Sequence, residues 1–301
     1  MRFAICSAAY PEAPEFIADF FAGVDAASRA YPETELILAV EHGFDAFAGL
    51  AGKFATRLPV QARPAPRPTT PAGLRHLMLT VAAASDADIV VFADFDDRLL
   101  PEAFGLHERA LDDADISYGD MVLADSRGLP VGRRFFDGAA IPDSFVGAEA
   151  ILERNFLGFG NTAMRRATLA QADLSLPSDA MPADWWFFTA LLSTGLAARR
   201  TEGAVSLYRC HGNSTLGGKA SATTTSLRRR ADLALTHYAQ LADRIDAGAA
   251  RRAVERLVAF IDRGNQSFAA VESALDGCPP IWFEDVARAS RAVAELPVDS
   301  H

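Results

Sequence analysis

The sequence predicts an α/β protein in which a mixed sheet carries helices on both faces and a helical extension follows. Three observations lead to this fold class. Strand and helix patterns alternate from the N-terminus onwards, as expected for βαβ units on a mostly parallel sheet. Apolar runs between residues 114 and 136 flank an Asp-Ser-Arg-Gly turn, which predicts a hairpin and therefore a mixed sheet. From about residue 226, glycine and proline become scarce and helical periodicity continues to about residue 296.

The first part of the chain reads as three strands and two helices before the central strand. The predicted strands are 2–8, 35–40 and 57–61, and the predicted helices are 14–30 and 73–84. The prolines of residues 63–71 are too many for a helix or a central strand and favour an extended loop.

Beyond residue 100 the pattern continues to a last short strand. The predicted elements are helix 101–111, the hairpin, a segment 156–164 that returns to the core, helix 182–193 and strand 205–211. Gly248, Gly264 and the Gly-Cys-Pro-Pro run at 277–280 divide the C-terminal region into three or four helices. The Gly-, Ser- and Thr-rich residues 217–225 form either a linker or an active-site loop. We therefore expect one domain over residues 1–225 and a helical extension over residues 226–301.

The most informative stretch is 88–97, Asp-Ile-Val-Val-Phe-Ala-Asp-Phe-Asp-Asp, where three carboxylates follow an apolar run. The run suits a strand buried on both faces and is too short for a helix. The acids then lie at the C-terminal end of a strand, which is the edge where ligands bind in open α/β sheets. Asp94 and Asp96 project to the same side, roughly 7 Å apart along an extended chain. Such closely spaced anions require either a divalent cation or raised pKa values.

A plain strand-to-helix turn is the alternative interpretation of these acids. One of them would cap the helix that begins near Pro101. This accounts for Asp97 but not for Asp94 and Asp96, and for that pair we favour a metal and phosphate site.

Composition narrows the function classes further. The formal net charge of −10 argues against wholesale binding of nucleic acid. The arginine doublets and the triplet 228–230 are solvated faces or contacts with an anionic substrate or membrane surface. Three scattered cysteines predict a reducing compartment, with the cytoplasm as the default. The N-terminal apolar stretch is too short for a signal peptide, and no segment approaches the roughly 20 apolar residues of a membrane span.

Several motifs in this order resemble those of family 2 glycosyltransferases of the GT-A fold, over roughly residues 1–216. The acidic segment with the following Leu-Leu-Pro resembles their Asp-x-Asp element most closely. Other similar segments are Glu-His-Gly at 41–43, Leu-Arg-His at 74–76, Tyr-Gly-Asp at 118–120, Gly-Asn-Thr-Ala-Met-Arg at 160–165, Ala-Asp-Trp at 183–185 and Tyr-Arg-Cys-His at 208–211. The chain departs from the family's usual residues at Ala183, at Glu41-His42 and at His76.

The resemblance implies an inverting, metal-dependent hexosyltransferase with its catalytic domain in residues 1–225. It would move a sugar from a nucleoside-diphosphate sugar, a UDP-sugar first, to a glycan or lipid-linked acceptor in polysaccharide biosynthesis. Mn or Mg is the implied ion, because carboxylate oxygens select hard cations and a cation offsets the charge of the leaving diphosphate. The implied metal ligands are Asp94, Asp96 and His211, and the implied donor contacts are Glu41, Arg75, Asp94 and Arg209.

Inverting transfer also needs a base, and Asp184 is the candidate. A carboxylate beside two indole rings has a pKa raised by desolvation, although the dipole of its helix opposes the rise. By the residues alone, an N-cap of helix 182–193 is an equally good reading of Asp184. Trp185 and Trp186 are adjacent, so we expect one to pack in the core and the other to offer a sugar-stacking face. Asn161 binds acceptor hydroxyls or satisfies a loop backbone.

Two rival functions and several partners remain open at this stage. A nucleotidyltransferase on a similar sheet would carry a Gly-rich phosphate loop after the first strand, and residues 7–11, Ser-Ala-Ala-Tyr-Pro, are not one. A non-catalytic nucleotide-sugar-binding or scaffolding protein of the same fold is the other rival. The C-terminal helices predict docking to the catalytic domain or homo-oligomer formation more than peripheral membrane contact, since they carry many acids and no sustained basic face.

Overall fold

A computed structural model describes residues 1–45, 47, 49, 57–210, 223–264 and 268–296. Its ten strands are β1 Phe3–Ala9, β2 Thr34–Val40, β3 Val60–Pro64, β4 Ile89–Phe92, β5 Arg98–Leu99, β6 Ile116–Ala124, β7 Pro130–Arg134, β8 Ser144–Val146, β9 Thr162–Arg165 and β10 Ala197–Arg209. The helices are α1 Pro14–Ala27, α2 Pro71–Ala83, α3 Ala103–Ala110, α4 Arg166–Gln171, α5 Ala183–Leu192, α6 Thr224–Gln240, α7 Gly248–Arg263, α8 Ala269–Leu275 and α9 Glu284–Glu295.

The strands form one mixed sheet in the order β3-β2-β1-β4-β9-β6-β10-β5. Strands β3, β2, β1 and β4 are parallel, whereas β9 is antiparallel to both β4 and β6. Strand β7 pairs antiparallel with β6, as the turn at 125–128 predicts. Because β1, β2 and β4 run in the same direction, the residues that follow them share one edge of the sheet.

The two faces of the sheet are covered by different helices. Alternate residues of β1 point to opposite faces, with Phe3 packing among α1 and α3 and Ala4 packing among α2 and α5. The mixed sheet with helices on both faces and the helical C-terminal extension are therefore confirmed.

The C-terminal helices α6 to α9 pack on one another and on α5. The apolar core on the α5 face of the sheet includes Leu227, Leu257 and Val286 from this region. An ion pair joins Arg154 to Glu284 at 2.8 Å, and Tyr238 Oη donates to the Leu152 carbonyl at 3.1 Å. The boundary near residue 225 between a catalytic domain and the extension stays a prediction, because the two parts share this core.

Helix α5 is buried on all sides, which corrects the expectation for its two tryptophans. Every residue from Trp185 to Leu192 is buried. Trp185 stacks on His237 of α6 at a centroid separation of 3.9 Å, and the Arg244 guanidinium covers Trp186 at 5.4 Å. Neither indole offers a sugar-stacking face, because the extension covers the side of α5 that the catalytic domain leaves open.

Strand β10 is much longer than the predicted strand 205–211. It begins at Ala197 and pairs with β6 through an irregular register between Arg200 and Ser206. The charged residues of its first half have a weak β-propensity, so the sequence does not predict a strand there. Pairing with β6 overrides this local preference. Residues 211 and 217–222 lie outside the described chain. No helix of the described ranges is both long and apolar enough to cross a bilayer.

Candidate active site

The acidic segment forms a turn directly after β4, and each of its three acids has a different partner. Asp94 Oδ1 accepts from Arg75 Nη2 of α2 at 2.5 Å. Asp96 Oδ1 accepts from Tyr10 Oη, after β1, at 3.3 Å. Asp97 Oδ1 accepts from the backbone N–H of Arg209, at the end of β10, at 2.8 Å. The segment is thus fixed to three separate elements at the predicted sheet edge.

Arg209 is a fully buried cation behind this turn. Its Nε donates to the Asp96 carbonyl at 3.0 Å, and its Nη2 donates to Asp19 Oδ2 of α1 at 2.6 Å. The guanidinium also lies 4.2 Å from the centre of the Phe16 ring. These contacts hold the acidic turn against α1 and β10, and a donor contact by Arg209 stays a prediction.

Burial and repulsion between carboxylates raise the pKa of Asp94 and of Asp97. Burial is the largest cause that holds the pKa of Asp97 well above its ordinary value, and repulsion from Asp96 and Asp94 adds to it. Burial also raises the pKa of Asp94, although Arg75 opposes the rise. Asp97 Oδ2 is buried without a hydrogen-bond partner in the described structure. The cluster thus combines carboxylates that repel one another with one buried oxygen that has no hydrogen-bond partner.

A glycine leaves open the space that two of these carboxylates share. A Cβ on Gly160 would lie 2.9 Å from Asp94 Oδ2 and 3.2 Å from Asp97 Oδ2. Oxygen donors that share one small space, one of them without a hydrogen-bond partner, suit a hard cation, so the residues fit the implied Mn or Mg. Within the described ranges no three His, Cys, Asp or Glu side chains form a complete ligand group. His211, the ligand implied by the resemblance, lies outside them.

Asp184 lies beside this cluster, at the second position of α5. The N-cap of that helix is Pro182, so Asp184 is not the cap, and its Oδ1 accepts the N–H of Trp185 at 2.8 Å. Burial raises the pKa of Asp184 to about 7, and Asp94 adds to the rise. The Trp185 N–H and Arg75 oppose it. A carboxyl group with this pKa exchanges a proton near neutral pH, as a general base must.

The remaining predicted residues have distinct placements. Glu41 follows β2 at the same edge of the sheet, where its N–H donates to the Ala9 carbonyl at 2.8 Å. Asn161 is fully buried and binds backbone groups of Gly119, Phe156 and Gly158, so it satisfies loops rather than an acceptor. A nucleobase contact by Glu41 and a donor contact by Arg75 stay predictions.

Two aromatic residues at the site were not singled out from the sequence. Tyr10 was foreseeable, since an aromatic hydroxyl directly after β1 lies at the ligand edge. Trp282 was not, because it comes from the segment between α8 and α9, and nothing local indicates that this segment reaches Gly158.

Comparison with known proteins supports the fold. No protein-family model and no curated protein matches the sequence. Among solved structures, S. aureus TarS 1-349 with UDP-GlcNAc matches at a TM-score of 0.57 and 11% identity, over 98% of this chain and 91% of that chain. The UDP complex of S. aureus TarS 1-349 matches at a TM-score of 0.54 and 13% identity, over 89% of this chain and 72% of that chain. Mannosyltransferase PcManGT from Pyrobaculum calidifontis, in complex with GDP-Man and Mn²⁺, matches at a TM-score of 0.60 and 15% identity, over 97% of this chain and 86% of that chain.

These identities are low, and the similarity lies in the fold. The chain has the GT-A glycosyltransferase fold, as its motifs predict.

Proposed function

We propose that this chain is an inverting, metal-dependent glycosyltransferase that uses a nucleoside-diphosphate sugar as donor. The observation that carries the proposal is the position of Asp184. Its carboxyl group, with a pKa of about 7, lies close enough to Asp94 and Arg75 for both to influence its titration. On a GT-A fold, a carboxyl group with this pKa beside an acidic cluster supports a base next to a diphosphate-binding site.

The residues have separate roles in the proposed reaction. The Asp184 carboxylate takes the proton of an acceptor hydroxyl while its oxygen forms a bond to C1 of the donor sugar. The bond from C1 to the diphosphate breaks, and the nucleoside diphosphate leaves with the electron pair. Asp94 and Asp96, with Asp97 as a neighbour, would hold a Mn or Mg ion, and such an ion would supply charge compensation for the leaving diphosphate. His211 is the further ligand that the resemblance implies.

The donor and setting follow from the resemblance and the fold relatives. TarS in complex with UDP-GlcNAc and PcManGT in complex with GDP-Man make UDP-sugars the first donors to test and GDP-sugars the second. The acceptor would be a glycan or a lipid-linked saccharide of a polysaccharide pathway in the cytoplasm. A hexose is the expected transferred group.

Calorimetric titration of UDP, GDP and their sugars, with and without Mn²⁺, tests this function. We expect Mn-dependent binding by the wild type and its loss in Asp96→Asn, which removes one anion of the cluster. Asp86→Asn is the matched control, since Asp86 is exposed before β4, away from the ligand edge. Equal donor affinity with and without Mn²⁺, in wild type and Asp96→Asn alike, would contradict the metal assignment.

A further inference from the structure

One side chain of the C-terminal region, Trp282, lies against Gly158, a glycine that also adjoins the candidate base. A Cβ on Gly158 would lie 2.5 Å from Trp282 Cη2 and 3.1 Å from Asp184 Oδ2. The indole edge and the carboxylate therefore adjoin the same glycine. The indole Nε1 donates to Tyr208 Oη at 3.4 Å. Burial and then Asp97 raise the pKa of Tyr208, so this hydroxyl lies near the acidic turn.

The backbone next to Trp282 is held in a strained conformation. Phe283 has a φ of 64°, and within the described chain it is the one residue other than glycine with a positive φ. A bulky side chain is strained there, and such strain persists only where surrounding contacts enforce it, frequently at functional sites. The Phe283 ring packs on Trp185 at 4.3 Å, and the Trp282 carbonyl accepts from the N–H of Asn155 at 2.9 Å.

These contacts fix the position of the indole against Gly158. Phe135 supports the ring at a centroid separation of 4.5 Å, and Trp282 keeps 8% of its surface exposed, whereas Trp185 keeps none. Gly158 provides the close approach, since any side chain there would displace the indole. Since the ring packs on Phe135 and its N–H donates to Tyr208, the part that adjoins Gly158 is the apolar edge at Cη2 and Cζ3, which suits contact with the apolar face of a sugar.

We propose that Trp282 forms a wall of the acceptor subsite, where it packs against the acceptor sugar and keeps water from Asp184. The inference rests on the proposed function and assigns part of the active site to the segment between α8 and α9. Trp282 acts on acceptor positioning, and it makes no contribution to donor binding.

The test compares Trp282→Leu and Trp282→Phe with Trp186→Phe, a control at another buried indole of the same interface. Three quantities are measured with the donor that the wild type binds: its affinity, nucleotide release without acceptor, and transfer to p-nitrophenyl glycosides. We expect Trp282→Leu to keep donor affinity within about twofold and to raise acceptor-free nucleotide release about threefold or more, because water gains access to Asp184. Trp282→Phe, which keeps an aromatic ring, should lie between Trp282→Leu and the wild type.

The outcomes separate the inference from the proposed function. For each p-nitrophenyl glycoside that the wild type uses, the ratio of transfer to hydrolysis should fall about tenfold in Trp282→Leu and stay unchanged in Trp186→Phe. Wild-type hydrolysis in Trp282→Leu, or a parallel loss of donor affinity, overturns the inference alone. A wild type that binds no nucleotide sugar overturns the proposed function and the inference with it. Where Trp282→Leu does not fold, Trp282→Phe carries the same test, with a smaller expected fall in the ratio of transfer to hydrolysis.

Discussion

At the scale of single residues, the decisive feature is that neighbouring carboxylates differ in their partners and in their pKa values. Asp94 is paired with Arg75, Asp97 keeps one oxygen without a partner, and Asp184 has a pKa of about 7. Neighbouring acids with such different environments can divide the work of binding a cation and moving a proton.

We expect Asp184→Asn to lower the transfer rate by roughly 100-fold or more while donor affinity stays within about twofold, because an amide cannot take the acceptor proton. Transfer rate and donor affinity are measured on the same preparation. Asp179→Asn, at an exposed aspartate before α5, is the control. A wild-type rate in Asp184→Asn would leave the base unidentified.

The pH dependence gives a second readout of Asp184. A base with a pKa of about 7 is protonated at lower pH, so the wild-type rate should fall about tenfold per unit as the pH drops below about 6. A rate that stays constant between pH 5 and pH 8 would contradict this titration.

At the scale of elements, the segment before β9 shapes the site through glycines. Gly158 admits Trp282, and Gly160 admits the carboxylates of Asp94 and Asp97. Neither glycine has a positive φ, so their importance lies in the absent side chain and not in backbone freedom.

Gly160→Ala should destabilise the protein by about 1–3 kcal/mol and weaken Mn-dependent donor binding, because the new methyl group would displace two acids. Thermal unfolding and calorimetric titration measure the two effects. Gly203→Ala is the matched control, since its nearest neighbour, Leu106 Cδ1, would be at 3.4 Å, an ordinary contact distance. Donor affinity equal to the wild type's in Gly160→Ala would place the cation elsewhere.

The stack between α5 and α6 makes folding sensitive to acid. His237 is buried against Trp185, with neither ring nitrogen partnered in the described structure, and burial lowers its pKa to about 3. In the unfolded chain the pKa is about 6.5. Below pH 6.5 the unfolded chain binds a proton at this histidine that the folded protein does not bind. The free energy of unfolding therefore keeps its full value above pH 6.5 and declines as the pH falls from 6.5 towards 3.

His237→Phe keeps the stack and removes the titration. From pH 7 to pH 5 we expect the free energy of unfolding of the wild type to fall by about 2 kcal/mol more than that of the mutant. Denaturant unfolding at the two pH values measures it. His107, a second buried histidine with a pKa of about 3, stays in both proteins and serves as an internal reference. Equal pH dependence in both proteins would show that His237 does not titrate on unfolding.

At the scale of the whole molecule, the C-terminal helices share one core with the sheet. They cover α5, whose residues from Trp185 to Leu192 are all buried, and the segment between α8 and α9 brings Trp282 against Gly158. Removal of the helices would expose a helix that is apolar on every side.

The chain shortened to residues 1–225 should therefore unfold at a lower temperature or self-associate. Calorimetry and light scattering, compared with the full chain, decide this. A shortened chain that is as stable and as monomeric as the full chain would show that the helices are an independent appendage.

The order of elements and the ligand edge could be predicted from the sequence because they depend on local patterns. The apolar run before Asp94 predicts a buried strand, and a strand's end predicts the edge of the sheet where its acids lie. The hairpin after β6 and the helical texture of the C-terminal region are equally local. Asp184 could be singled out by its motif, but its two readings could not be separated without the neighbours that raise its pKa.

The tertiary structure alone decided which side chains share a space. Trp185 and Trp186 are both buried because distant helices cover α5, and the charged first half of β10 is a strand because it pairs with β6. Trp282 and Asp184 adjoin the same glycine, Gly158, because that residue has no side chain and the strained backbone at Phe283 positions the indole. Local preferences extend over a few residues, whereas burial, pKa values and close approaches depend on residues far apart in the chain, and the sequence by itself does not say which of them meet.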